Sequence, residues 1–358
     1  MKIVRHFAII FTTIILFLGG IGYNLLPVEI IAVLISCYLC LLAAVGNKRF
    51  LLPKGFGVFV LFLAALVAHS YWEEKILVTN YFIMYLAGGL FWIAFYNLRS
   101  YFEKYYGLMI VLLAIAFGLL FFLFAKGGDI GTWSLFLTSS TYKNHNHIGD
   151  IWALALAVIF YTSLNKAKLW HFLLGLVGVY LMAISLSRSA YAALFAGVIF
   201  VAFRKGWIKK ARYVSLATLT VCAALLVYAG TQKTTLFARP YYIQAVVGFL
   251  RNPLGVGMGN FSIISADPIN HLLGFKDFAG FTHNIVLEVL VGLGIFSLPF
   301  IIWFFLVCRS VWQKSKTRLF SSMIFVVLSV NLLLDSTYNI PTMLWLWFMS
   351  IGLAQAEE

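Results

Sequence analysis

The sequence predicts an all-α integral membrane protein. It reads as a single polytopic domain over residues 1–358 that crosses the bilayer about twelve times and carries one large loop on the outer face. Three observations predict this. The chain is 63% hydrophobic and only 11% charged, with mean hydropathy +0.96, whereas a soluble domain is about a quarter charged. Apolar runs of roughly 18–25 residues recur along it, the length of a bilayer-spanning helix, without the alternation of outer-membrane strands. The basic residues also alternate between successive connections.

Spans are expected at 5–23, 28–46, 55–72, 78–97, 105–125, 147–164, 169–187, 189–204, 212–230, 283–308, 319–337 and 341–354. The first follows Met1-Lys2-Ile3-Val4-Arg5-His6, which resembles the start of a signal peptide. No small-x-small cleavage site follows, so it is read as an uncleaved helix. With both termini placed in the cytoplasm, 18 of the 26 Lys and Arg fall on cytoplasmic segments. Arg204, Lys205, Lys209, Lys210 and Arg212 form the densest of these. That bias obeys the positive-inside rule and fixes the orientation. The net charge of +14 therefore reports membrane orientation. It does not report nucleic-acid binding, because no folded basic domain with interleaved aromatics is present. Cys37, Cys40, Cys222 and Cys308 all lie in apolar stretches. The CxxC of Cys37 and Cys40 has no second ligand pair nearby, and packing is the expected role.

Two long connections face outward, 126–146 and 231–282. A loop of about fifty residues is usually functional. Within it, Pro240 to Leu250 is apolar at helical spacing and opens on a proline suited to a first helical position. It is expected to be a short amphipathic helix on the membrane surface.

Chemistry-bearing residues collect on this face. Arg188, in Ser185-Leu186-Ser187-Arg188-Ser189-Ala190, joins two apolar stretches. A permanent cation at a membrane is costly unless paired or wet, and its planar fork fits phosphate or carboxylate. Arg239 opens the large loop. The two read either as a clamp on a phosphate or pyrophosphate or as contacts to lipid headgroups and loop carbonyls. Arg251, by its charge and loop position, is a possible supporting residue of the site, although it and Lys143 fit lipid headgroups more simply. His283, in Thr282-His283-Asn284, is placed where the tenth span begins. It reads as a general base or as a capping histidine, with Asn284 and Glu288 as supporting residues. His145 and His147 stand in Asn144-His145-Asn146-His147. Two histidines at i, i+2 without a third ligand make a poor metal site. Asp150 starts the following span, no metal is expected, and His147 remains a possible substrate contact. The run Gly255-Val256-Gly257-Met258-Gly259-Asn260 follows no βαβ strand and precedes no P-loop lysine. Tight turns and close backbone approach are its expected task. Asp335, at the outer end of the eleventh span, is expected to be structural.

Three pieces together resemble the O-antigen ligase and polymerase family, which comprises Wzy-type glycan polymerases and lipid A-core ligases. They are Ser187-Arg188-Ser189; Arg239-Pro240-Tyr241-Tyr242 leading to Asn252-Pro253-Leu254-Gly255-Val256-Gly257-Met258-Gly259-Asn260-Phe261; and His283-Asn284 with Leu287-Glu288 running into Gly292-Leu293-Gly294. They cover about 140–300. The resemblance implies a GT-C-like, inverting glycosyltransferase that uses neither metal nor cofactor. Its donor would be an oligosaccharide on undecaprenyl pyrophosphate and its acceptor a growing glycan or lipid A-core. By the same analogy Arg188 and Arg239 would hold the pyrophosphate, and His283 would deprotonate or orient the acceptor hydroxyl. Ligation and polymerisation both remain open. The competing reading is a transporter or flippase of a lipid-linked or anionic solute. That would call for midplane charges and matching broken helices, but the notable charges here, Arg188 and Arg239, lie with His283 at the outer surface.

Overall fold

Apolar runs become helices here because lipid offers a backbone no hydrogen-bond partner except itself. In a computed structural model, the structure describes residues 2–21, 26–46, 50–73, 76–124, 145–164, 168–185, 187–207, 240–266 and 280–357. The expected span at 212–230, with Cys222, most of the connection 126–146 and parts of 231–282, lies outside these residues. Among the described residues all regular structure is helical. The helices are α1 (Lys2–Ile21), α2 (Leu26–Gly46), α3 (Phe56–Glu73), α4 (Ile76–Asn97), α5 (Arg99–Phe124), α6 (His145–Ser163), α7 (Leu169–Ser185), α8 (Arg188–Arg204), α9 (Pro240–Arg251), α10 (Phe261–Ser265), α11 (Ile285–Leu293), α12 (Leu298–Lys314), α13 (Leu319–Leu334) and α14 (Pro341–Gln355).

Every residue of α14 is buried, packed against α1, α4, α12 and α13. Its aromatics meet those of α3, α4 and α12. Phe59 lies 5.0 Å from Trp303 and 5.3 Å from Phe348, and Trp92 lies 5.7 Å from Trp303, between ring centroids. Tilted and edge-on rings at these spacings suit the aromatic quadrupole. Buried indoles need an acceptor. Trp92 Nε1 donates to Gln355 Oε1 (2.9 Å), Trp345 Nε1 to the Met84 carbonyl (3.1 Å) and Trp347 Nε1 to Ser329 Oγ (2.9 Å).

Around this core the polarity is inverted relative to a soluble protein. Leu34, Leu41, Phe172 and Phe305 are all more than 60% exposed, on the outward faces of α2, α7 and α12. Leu26–Gly46, Arg99–Phe122 and Ile285–Lys314 are long and apolar enough to cross a membrane, and α1, α3, α7 and α13 add shorter apolar helices. Cys37, Cys40 and Cys308 are free and partly buried.

The expected continuous span at 283–308 is broken. Gly294 adopts φ 57° at the end of α11, a 3-10 turn fills Gly294–Ser297, and α12 restarts with proline in its first turn. The break exists to receive the glycine run. Val256 N donates to the Val291 carbonyl (3.0 Å), Gly257 N to the Gly292 carbonyl (2.8 Å) and Ile295 N to the Pro253 carbonyl (2.8 Å). A Cβ on Gly255, at φ +90°, would stand 2.7 Å from Gly294 N. The two glycine segments thus touch backbone to backbone, as the sequence predicts. Gly255→Ala is expected to lower stability by about 1–3 kcal/mol from backbone strain alone, read as a fall in Tm in detergent. An unchanged Tm would show that the two segments are not held this closely.

Candidate active site

The site is built where four helix ends meet: the starts of α6, α8 and α11 and the end of α13. Each end is shaped by a polar residue. Asn284 caps α11, with its Oδ1 accepting from Val286 N (2.9 Å) and Leu287 N (3.0 Å), while its Nδ2 donates to the Leu333 carbonyl of α13 (3.0 Å). One side chain therefore starts α11 and ties it to the end of α13. Ser187 caps α8, accepting from Ala190 N (3.3 Å). Asp335 ends α13 in an extended conformation, and its Oδ1 accepts from Ser336 N (2.7 Å), opening the 3-10 turn Ser336–Asn339.

His283 does not open α11. It stands just before the Asn284 cap, with φ +56°. A left-handed backbone is uncommon for any residue but glycine and costs on the order of 1–3 kcal/mol. It persists because both neighbours are anchored. Thr282 donates through its backbone N (3.0 Å) and Oγ1 (3.0 Å) to Glu288 Oε2, which also accepts from Tyr338 Oη (2.8 Å). Glu288 thus braces the turn from within the core, 2% exposed, and acts on His283 only through Thr282.

This turn aims the His283 ring. Its Nδ1 lies 3.1 Å from Asp335 Oδ1, with the carboxylate 3% exposed and the imidazole 29% exposed. Tyr241, in the first turn of α9, stacks on the ring at 5.4 Å and 29°. A carboxylate on Nδ1 selects the tautomer with the proton there, so Nε2 keeps its lone pair. A buried carboxylate, a half-open imidazole and an aromatic wall give His283 the geometry that a general base requires.

Arg188 is the first residue of α8. Its neighbours Ser187 and Ser189 both donate to Asp150 Oδ1 (3.0 Å each), and Ser189 Oγ also reaches Asp335 Oδ2 (3.1 Å). The cation and the histidine therefore share one polar scaffold, although 95 residues separate them in sequence.

The remaining expected residues are placed as follows. Arg239 and Lys143 lie outside the described residues. Arg251 ends α9, about 16 Å along the axis from the Pro240 end at the usual helical rise. It lines a separate cavity of about 620 Å³ with His69, Pro253 and Phe296, so it does not join His283. His147 is buried on α6, 1% exposed, one turn before Asp150. Pro240–Leu250 is helical as expected. One face, including Ala245, packs with Phe261, Ile264 and Val291, while Ile243, Val246 and Leu250 are exposed. Among the described residues no three metal-ligating side chains cluster.

Sequence reasoning missed the two carboxylates. The sequence alone reads Asp335 as structural and Asp150 only as a possible further donor beside His145 and His147. The signal was available: an ionisable residue inside an apolar span is functional by default, and both stand at span ends on the face that carries Arg188 and His283.

Comparison with known proteins bears on the same segment. Residues 171–302 match the family model described as O-antigen ligase. No curated protein matches the chain. The matched stretch contains Arg188, the glycine run and His283, and it leaves Asp150 before it and Asp335 after it.

Proposed function

We propose, from the match of residues 171–302 to the O-antigen ligase family model, that the chain transfers a glycan from a polyprenyl-pyrophosphate donor to an acceptor hydroxyl at the outer face of the bacterial inner membrane. The observation that carries this reading is the His283–Asp335 pair, held at the same helix ends as Arg188.

The proposed step is a single displacement. The acceptor oxygen attacks the anomeric carbon of the donor sugar. The bond from that carbon to the pyrophosphate oxygen breaks, and the lipid pyrophosphate leaves with the electron pair. His283 Nε2 takes the hydroxyl proton, and Asp335 stabilises the imidazolium that results. Arg188, with Arg239 as its partner, holds the diphosphate as its charge grows. One displacement inverts the anomeric centre. The donor is already activated, so the protein need supply only charge and one base, and neither metal nor cofactor has a task. A second donor glycan as acceptor gives polymerisation, and lipid A-core gives ligation. The same residues serve both.

The twelve-span layout with cytoplasmic termini supports this placement. It puts the starts of spans six, eight and ten and the end of span eleven on the outer face, and Asp150, Arg188, His283 and Asp335 occupy those ends. A direct test is the anomeric configuration of the product by NMR, with and without EDTA. Inverted product in equal yield under both conditions is expected. Retention of configuration, or loss of activity with EDTA, overturns the mechanism.

A further inference from the structure

The proposed transfer step uses Asp335 and leaves Asp150 without a task. Asp150 is 1% exposed in the first third of α6, in a segment read as membrane-spanning. A carboxylate there is costly and persists only with donors around it. Its donors are unusual in their placement. Ser187 and Ser189 each reach Asp150 Oδ1 at 3.0 Å and lie 2.9 Å from one another. Ser189 also reaches Asp335 Oδ2 at 3.1 Å. Two hydroxyl protons therefore serve four oxygen–oxygen contacts, so the group is one shared network and not a set of separate pairs.

The backbone is arranged to bring α6 to it. A Cβ on Gly149 would stand 2.8 Å from the Ser187 Cβ and 3.0 Å from the Ser185 Cβ. Only glycine at 149 lets α6 approach the α7–α8 junction closely enough for Asp150 to reach both hydroxyls. Ser187 is the cap of α8, and Arg188 follows it.

We infer that Asp150 is the positioning residue that couples the two arms of the site: through Ser187 it sets the helix start that presents Arg188, and through Ser189 it fixes Asp335 behind His283. The inference rests on the proposed transferase reading for its kinetic consequences and on geometry alone for the placement of His283.

The two serines separate the arms. Ser189→Ala cuts the link to Asp335, so kcat is expected to fall about 10- to 100-fold, the usual effect of removing an outer orienting partner, with donor KM little changed. Ser187→Ala removes the cap beside Arg188, so donor KM rises severalfold with a smaller change in kcat. Asp150→Leu loses both, and Asp150→Asn, which keeps an acceptor oxygen, recovers much of the activity. A purely structural role would lower the yield of folded protein without splitting kcat from KM.

A readout independent of transfer is the rate at which diethyl pyrocarbonate modifies His283 in the purified full chain, followed by mass spectrometry. With Asp335 loosened, both ring nitrogens become available, and Ser189→Ala is expected to react faster than the unsubstituted protein. If the unsubstituted protein transfers no glycan, the functional reading fails, and this rate still decides the inference. An unchanged His283 rate, or an unchanged kcat in an active preparation, overturns it.

Discussion

His283→Ala is expected to reduce glycan transfer by about 10²–10⁴-fold, the contribution of a positioned general base, with normal amounts of protein in the membrane. The imidazole stacks on Tyr241 and meets Asp335, so its removal leaves a small space at a half-open position and not a hole in the core. The fold should survive. Asp335→Asn should be nearly as damaging. An amide presents a donor as readily as an acceptor to Nδ1 and can hold the ring in the wrong tautomer, with Nε2 protonated and useless as a base. The pair makes a sharp test. If His283 were a capping residue, Asn284 would already do that work, and both variants would keep activity. Full activity in His283→Ala removes the base from the mechanism.

Arg188→Lys should lose about 10²–10³-fold, the scale of deleting one donor from a charge-stabilising site. Charge is conserved in this variant and shape is not. A guanidinium offers two parallel N–H donors to one phosphate, whereas an ammonium is a compact and strongly hydrated point charge. Arg188 is held by its backbone, with capping Ser187 before it and Ser189 after it, both on Asp150. The start of its side chain is therefore fixed, and the shorter lysine, ending in one ammonium, cannot place two parallel donors on the same phosphate. Measured kcat/KM near that of the unsubstituted protein would refute bidentate phosphate binding and return Arg188 to a role at the lipid headgroups.

How much of this was legible in the sequence varied with the distance over which the information is carried. Apolar period is local, and among the described residues most helices lie close to the bounds it predicts. The glycine run was readable as a close backbone approach because only glycine permits it, and Gly255 against Gly294 is such a contact. Arg188 and His283 stood out because each is anomalous by itself in an apolar setting. The partners were hidden. Asp335 meets His283 across 52 residues and Ser189 across 146, and no local pattern reports such a pairing. The break of the tenth span at Gly294 has a related cause: Gly294 and Pro299 permit it locally, but the loop that docks onto it from Pro253–Gly257 lies about forty residues away in sequence. Arg251 illustrates the reverse error. Its charge and loop position placed it near the site, but the length of α9 carries it away to another cavity.

The proposed site joins the His283–Asp335 pair and Arg188 in one transferase that acts on a polyprenyl-pyrophosphate glycan. Its most direct measurement is single-turnover transfer by the purified chain in detergent, with undecaprenyl-pyrophosphate oligosaccharide as the only glycan source and lipid A-core added in a parallel reaction. Glycan-extended product in either reaction, lost in His283→Ala, is the predicted result. Movement of the intact donor across liposome membranes with no glycan transferred to any acceptor would contradict the account and make the chain a carrier of its lipid-linked ligand.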